Sequence, residues 1–274
     1  MTAPAPTPTP GADSPPVAVS LDAVVAHLDA LLRTSELPDY PGAVNGLQLA
    51  NSGSVGRVAV AVDFSRAAID GAVAAGAGLL VVHHGMFWGG AQPIVGPAYE
   101  RLRRLLAADV AVYASHLPLD LHPSLGNNAR LATLLGLTPT GGFARFKTVD
   151  VGLSGESDLA TAELAKRAAA FTTARGGTLR TVGVTPGRRT RRWGICTGGG
   201  ASSETIAEAV ARGLDTLVVG EGPHHTAVEA AERGLAVLYA GHYATETLGV
   251  EALAAELEHQ FALPWTFVGQ PTGL

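Results

Sequence analysis

Short apolar runs alternate with helical segments along this chain. From Ser20, a candidate N-cap, the apolar residues Val24, Val25, Leu28, Leu31 and Leu32 recur at helical spacing. Asp39-Tyr-Pro-Gly and Asn45-Gly46 are turn signals. Arg57 to Val62 (RVAVAV) then predicts a buried strand ending at Asp63, and Ser65 to Ala77 an Ala-rich helix. Gly78 to Val82 reads as a second buried strand, Glu100 to Ala107 as a helix with a solvated basic face, and Asp109 to Ala114 as a third strand. Asn128 to Leu135 and Asp158 to Thr172 have helical patterns, and Trp193 to Thr197 is strand-like. The helix Ser203 to Arg212 and the strands Leu217 to Gly220 and Ala236 to Ala240 follow. A last helix is expected to begin at Glu246, with Leu248, Leu253, Leu257 and Phe261 on one face. Strands alternating with helices predict an α/β fold.

Part of this pattern occurs twice. Ile69 to Gly85 (IDGAVAAGAGLLVVHHG) aligns without gaps on Ile206 to Gly222 (IAEAVARGLDTLVVGEG), and nine of the seventeen positions are identical. Downstream, Tyr113-Ala-Ser-His116-Leu-Pro-Leu-Asp120 matches Tyr239-Ala-Gly-His242-Tyr-Ala-Thr-Glu246. Each half is therefore a helix, a strand ending in polar residues, then a strand ending in His plus a carboxylate. Duplication is the economical explanation. It predicts two related α/β lobes with a site at the strand ends between them.

Composition narrows the class. A chain of 274 residues can build one large or two modest units. Few aromatics and abundant Ala, Gly and Val suit small-residue helix–sheet packing. A net charge of −5 gives no electrostatic footprint for nucleic acid. One cysteine, Cys196, excludes an intrachain disulfide and suits a reducing, cytoplasmic setting. No segment has the length and apolarity of a membrane span. Met1 to Pro16 is Pro/Thr/Ala-rich, lacks the regions of a secretory signal, and reads as a disordered tail.

Candidate chemistry gathers at strand ends. His83 and His84 close the Gly78–Val82 run, and Gly85 allows the backbone to turn there. Adjacent side chains on a strand face opposite ways, so a strand end is the place for both to serve one site. With His116, Asp120, Glu221, His242 and Glu246 they form a mixed imidazole–carboxylate set. Ligands of α/β sheets bind beyond the carboxyl ends of the strands. A set without thiolate suits Zn, Mn, Fe, Ni or Co, and Asp120 or Glu246 can bridge two ions. Two ions about 3.5–4 Å apart form a hydrolytic centre; ions that only tie two lobes together are the structural alternative. Pro118 predicts that His116 to Asp120 is a loop. His27, His122 and His259 read as surface or supporting residues. The cluster Arg188, Arg189, Arg191 and Arg192, beside Pro186-Gly187, predicts a solvated hairpin loop, with anion capture as the alternative. Gly198-Gly-Gly-Ala-Ser-Ser is a weak phosphate signal, since it lacks the known Gly-rich fingerprints.

The motifs NGLQ (Asn45 to Gln48), VHHGMFW (Val82 to Trp88), HLPLDLHPSLGNN (His116 to Asn128), CTGGG (Cys196 to Gly200) and GHYATE (Gly241 to Glu246) carry a family resemblance. The chain resembles the Nif-three-like dinuclear metal-centre family, whose members are often labelled GTP cyclohydrolase 1 type 2, from Leu21 to Phe267. The resemblance implies two related lobes in a toroidal homohexamer, with two divalent ions per subunit. Its metal ligands would be His83, His84, Asp120, His242 and Glu246, with Glu246 touching both ions. It places His116 and His225 near the site in supporting or proton-transfer roles. The expected division is a tail over 1–17, a first lobe over 18–126 completed by 240–274, and a second lobe over 127–239. Three functions are open: a metal-dependent hydrolase of a nucleotide or other small anionic substrate, a metal-handling hexamer, and a scaffold for a protein partner. No guanine pocket is legible.

Overall fold

A computed structural model describes residues 18–274. The tail expected over 1–17 lies outside the described residues. The first elements are β1 (Val19–Ser20), α1 (Leu21–Leu32), β2 (Gly46–Leu49) and β3 (Ser54–Val55), with β1 antiparallel to β3. A β–α–β–α–β run follows: β4 (Val58–Asp63), α2 (Arg66–Ala74), β5 (Leu79–His84), α3 (Pro97–Ala107) and β6 (Ala111–Ala114). Two helices, α4 (Leu117–Asp120) and α5 (Asn127–Leu135), lead to the antiparallel hairpin β7 (Gly141–Phe146) and β8 (Val149–Ala160). Then come α6 (Thr161–Ala174), β9 (Arg180–Val182), and a second β–α–β–α–β run. This comprises β10 (Arg189–Cys196), α7 (Ser203–Ala211), β11 (Thr216–Val219), α8 (His224–Glu232) and β12 (Ala236–Tyr239). The long α9 (His242–Phe261) and β13 (Trp265–Phe267) close the chain.

Two sheets organise these elements, ordered β13-β4-β5-β6-β2 and β7-β8-β10-β11-β12-β9. In the first, β13, β4, β5 and β6 run parallel and β2 is antiparallel at the edge. In the second, β10, β11 and β12 are parallel, flanked by antiparallel β8 and β9. Parallel strands need helices on their faces to hide them from water, hence the continuous apolar runs of β4, β5 and β11. Leu79, Val81 and Val60 pack on the α1 side of the first sheet, while Leu80, Val82 and Ala59 pack against α2 and α3.

Helix α9 ties the sheets together. Val250, Leu253, Ala254 and Leu257 belong to the core around β4 and β5, whereas Ala244 and Leu248 belong to the core of the second sheet. Every residue from Tyr243 to Val250 is buried, as expected of a helix clad on all sides. The single apolar face expected of this helix is thus two faces, one for each core.

Three local expectations are corrected. The strand expected over Gly78 to Val82 is β5, and it continues through His83 and His84 as its last residues, with His84 paired to Asp63 in register. Pro118 does not prevent a helix: it sits in the first turn of α4, where no N–H partner is needed, and the amides of Leu119 and Asp120 both bond His116 O. The arginine cluster is no hairpin loop either. Arg189 to Arg192 form the start of β10, where Asp215 accepts the Arg191 and Arg192 amides and Arg188 donates to Asp215 O and Gly234 O. Arg189 pairs with Asp158 across to β8. Arg188 and Arg189 have partners in the fold, while the side chains of Arg191 and Arg192 stay exposed.

Candidate metal centre

The site lies where β5, α4 and the start of α9 meet. His83 and His84 bring their rings within 4.8 Å of each other, centroid to centroid, although they are neighbours on one strand. Each is held by its Nδ1: His83 bonds Ser115 O at 2.9 Å, and His84 bonds Asp63 Oδ1 at 2.9 Å. Their Nε2 atoms are thereby turned toward Glu246, His83 at 3.6 Å from Oε1 and His84 at 3.6 Å from Oε2. His83 Nε2 also lies 3.5 Å from Asp120 Oδ2.

His116 and His242 follow the same rule. His116 bonds Asp39 Oδ1 through Nδ1 at 2.8 Å, and its amide donates to Asn45 Oδ1 at 2.7 Å. Asp39 is fixed in turn by the Asn45 amide group and the Leu117 N–H. His242 bonds Glu221 Oε1 through Nδ1 at 2.8 Å and places Nε2 3.1 Å from Glu246 Oε1. A carboxylate or carbonyl on one ring nitrogen orients the other and raises its basicity as a ligand. Asp120 is steadied by Asn127, whose Nδ2 donates to Oδ1 at 2.8 Å while its Oδ1 accepts the Gly249 amide of α9.

Glu246 occupies the centre. It lies one turn inside α9 and not at its start, because the helix begins at His242, four residues earlier. Burial by itself would raise its pKa, but the imidazoles of His83, His242 and His84 hold it well below the usual carboxylate range. Burial likewise favours neutral His83, yet Asp120 and Glu246 hold that ring's pKa well above its ordinary value. Burial opposes the charge on His242 too, and Glu246 and Glu221 raise it to about 9. Cys196 borders the site, its thiol pushed up to about 12 by burial and by Asp120, Glu208 and Glu246. Cys196 belongs to neither group of convergent ligand atoms, which leaves the donor set to imidazole and carboxylate.

The residues fit metal ions. His83, His84 and His116 form one group of ligand atoms within 4.8 Å of one another, and His84, His242 and Glu246 form a second. His83 Nε2 and Glu246 Oε2 are buried and without hydrogen-bond partners. Unsatisfied buried polar atoms cost about 1–3 kcal/mol each, and a cation between them removes that cost. Gly198, at φ +61°, gives Glu246 its space: a Cβ there would overlap Oε1. The cluster opens into a cleft of about 460 Å³ whose lining includes Tyr40, Trp88, Phe146, Thr197, Gly199 and Gly200.

The structure thus gathers His83, His84, His116, Asp120, His242 and Glu246. It does not gather His225. Thr226 and Ala230 form the buried face of α8, which leaves His225 exposed beside Glu204, outside the residues lining the cleft. Glu221 orients His242 and stands apart from both ligand groups. Asp39, Asn45, Asp63, Asn127 and Gly198 were not singled out as site residues. Asp63 at a strand end and Asn45 in NGLQ offered a signal; Asp39, in a surface-like turn, offered none.

The profile of the family described as Duf34/NIF3 (NGG1p interacting factor 3) matches residues 19–271. The chain belongs to the Duf34/NIF3 family. Among its relatives within Duf34/NIF3 is a GTP cyclohydrolase 1 type 2 homolog of Deinococcus radiodurans, 40% identical over 258 residues, covering 93% of this chain and 95% of that protein. A homolog of the same name from Halobacterium salinarum is 41% identical over 254 residues, covering 92% and 98%. Solved Duf34/NIF3-like structures include protein ybgI, of unknown function, at TM-score 0.83 and 35% identity, covering 93% of this chain and 100% of that one. Another is TTHA1606 from Thermus thermophilus, at TM-score 0.77 and 37% identity, covering 93% and 100%.

Proposed function

We propose that this chain is a metal-dependent hydrolase with two divalent ions per subunit, acting on a nucleotide or another small anionic substrate. The observation that carries this reading is the convergence of imidazoles on one buried carboxylate: His83 and His242 face Glu246 Oε1, His84 faces Oε2, Asp120 stands beside His83, and His83 Nε2 and Glu246 Oε2 have no hydrogen-bond partner. The relatives named GTP cyclohydrolase 1 type 2 homolog support a hydrolytic reading by their name.

His83, His84, Asp120, His242 and Glu246 would hold the ions. Bound divalent ions supply Lewis-acid polarisation and a water acidified toward neutral pH. The other contributions come from the chain. Glu246 offers two oxygens to neighbouring positions, whereas each imidazole offers one lone pair. Asp39 fixes the tautomer of His116, which leaves Nε2 free to take or give a proton at the cleft wall. Two carboxylates among five ligands undercompensate two divalent charges, which draws an anionic substrate to the cleft. Trp88 covers His84 and His116, its ring 4.9 and 4.6 Å from theirs, and limits water on that side.

Elemental analysis of the metal-loaded protein tests this. Two ions per chain are expected, with His83→Ala and His84→Ala each weakening one of them more than the other. Glu246→Gln keeps the shape but removes a charge and an oxygen donor. It should lower occupancy at both positions and abolish hydrolysis across a panel of nucleotides, phosphoesters and cyclic amides, with the circular dichroism spectrum unchanged. A chain that never holds more than one ion under any loading condition would sink the dinuclear reading.

A further inference from the structure

Beside the ligand cluster, the cleft carries an aromatic wall that metal ligation does not require. Tyr40 is 51% exposed and Trp88 43%, large fractions for rings that commonly bury most of their area. They belong to the turn after α1 and to the loop after β5, and Phe146 joins them from the tip of the β7–β8 hairpin. Ring centroids lie 6.3 Å apart for Tyr40 and Trp88 and 4.7 Å apart for Tyr40 and Phe146.

The wall is built and fixed. Gly42 packs so closely on the loop that a Cβ would stand 2.7 Å from Trp88 O, which sets the Tyr40 turn against the Trp88 backbone. Lys147, at φ +49°, donates from Nζ to Asp39 O at 2.8 Å, pinning the hairpin tip to the residue beside Tyr40. The strap joins the hairpin of the second sheet to the turn that also carries Asp39, the partner of His116. Segments distant in sequence therefore set these rings beside the ligand atoms, with Trp88 against His84 and His116. Gly199 and Gly200 also line the cleft and add no side chains to it.

We infer that Trp88, Tyr40 and Phe146 form a stacking subsite for a planar nitrogen heterocycle, the part of the substrate that selects it. The inference rests on the reading of this cleft as a substrate site. A flat ring stacked on these aromatic residues would share the cleft with His84, His242 and Glu246, which also line it. A sugar or phosphate alone has no face to stack. The subsite thus gives specificity for the ring, while the metal centre attracts the anionic part.

Binding to the metal-loaded full chain tests this without turnover. Calorimetry compares guanosine and adenosine monophosphates with ribose 5-phosphate. The nucleotides should bind at least about tenfold more tightly, the scale of base–aromatic stacking. Trp88→Leu should remove that preference, and Trp88→Phe should keep most of it. Tryptophan emission gives a second readout. The chain has three tryptophans; Trp193 is fully buried and Trp265 bonds Glu258 away from the cleft. Nucleotide should quench wild-type emission and leave Trp88→Phe unquenched. If Trp88→Leu does not fold, Tyr40→Leu and Phe146→Leu should each reduce the preference. Equal binding of nucleotide and ribose 5-phosphate, or a preference that survives folded Trp88→Leu, overturns the subsite. A hydrolase lacking ring preference would refute this inference alone. Ring preference in a protein that hydrolyses nothing under any metal would refute the hydrolase reading alone.

Discussion

Gly198 shows how little room the centre leaves a single residue. Its φ of +61° lies in the left-handed region, and a Cβ would overlap Glu246 Oε1. A side chain in that region costs about 1–3 kcal/mol when the surroundings impose it, and here the carboxylate must also move. Gly198→Ala should lower the melting temperature and reduce metal content toward that of Glu246→Gln. Gly199→Ala is the control, because its Cβ would sit at an ordinary 3.9 Å from His242 Cε1. Calorimetry with elemental analysis checks both; equal metal content in the two variants would remove Gly198 from the argument. The four site histidines share one device, an acceptor on Nδ1 that leaves Nε2 for the site. For three of them the acceptor is a carboxylate, Asp39, Asp63 or Glu221, and for His83 it is the Ser115 carbonyl.

At the scale of elements, β6 sits between α1 and the site. Tyr113 on β6 is fully buried and donates its hydroxyl to Asp29 Oδ1 on α1 at 2.8 Å. Burial, with Asp29 acting in the same direction against the Thr34 hydrogen bond, holds its pKa well above the usual phenol value. The folded chain therefore keeps this proton at pH values where the unfolded chain loses it. The associated stability is complete below about pH 10, the pKa of an exposed phenol, and declines as pH rises above it. Melting temperatures measured from about pH 9 to 11 should fall less steeply for Tyr113→Phe than for wild type. Parallel slopes would mean that Tyr113 does not govern alkaline unfolding. Helix α9 has the larger architectural part, since it feeds both cores and carries His242 and Glu246 on its first turns.

For the whole molecule, the expected assembly is the homohexamer that the family resemblance implies. Ile94, Val95, Tyr99 and Leu106, before and along α3, are each at least half exposed. Such a group of large apolar residues is more often covered than left in water. Sedimentation at micromolar protein should show a hexamer, with an Ile94→Asp, Val95→Asp double variant shifting it to smaller species. A monomer at every concentration would remove assembly from the reading. Among the described residues, no helix is long and apolar enough to cross a membrane.

The local chemistry of the chain was legible from residue order. The apolar runs that became β4, β5, β11 and β12 are short, continuous and β-branched, so burial between helices was the only way to hide them. The motifs HHG, HLPLD and GHYATE contain every candidate ligand now gathered at the centre, because metal ligation would demand a few residue types that are rare elsewhere in the chain. Periodicity failed where tertiary contacts decided. Arg188 to Arg192 read as a solvated loop, but pairing with β8 made Arg189 to Arg192 a strand, with Arg191 and Arg192 still exposed. Pro118 read as a breaker until its place in the first turn made its missing N–H harmless. His225 follows the acidic strand end in sequence, but the buried face of α8 turned it outward. Asp39 holds His116 from 77 residues away, a pairing that no local pattern encodes. Residue types and their order determined which ligands this chain has. Only the packing of α9 between two sheets, with the turn at Asp39 folded onto the start of α4, decided which of them meet, since convergence depends on distances through space that sequence separation does not measure.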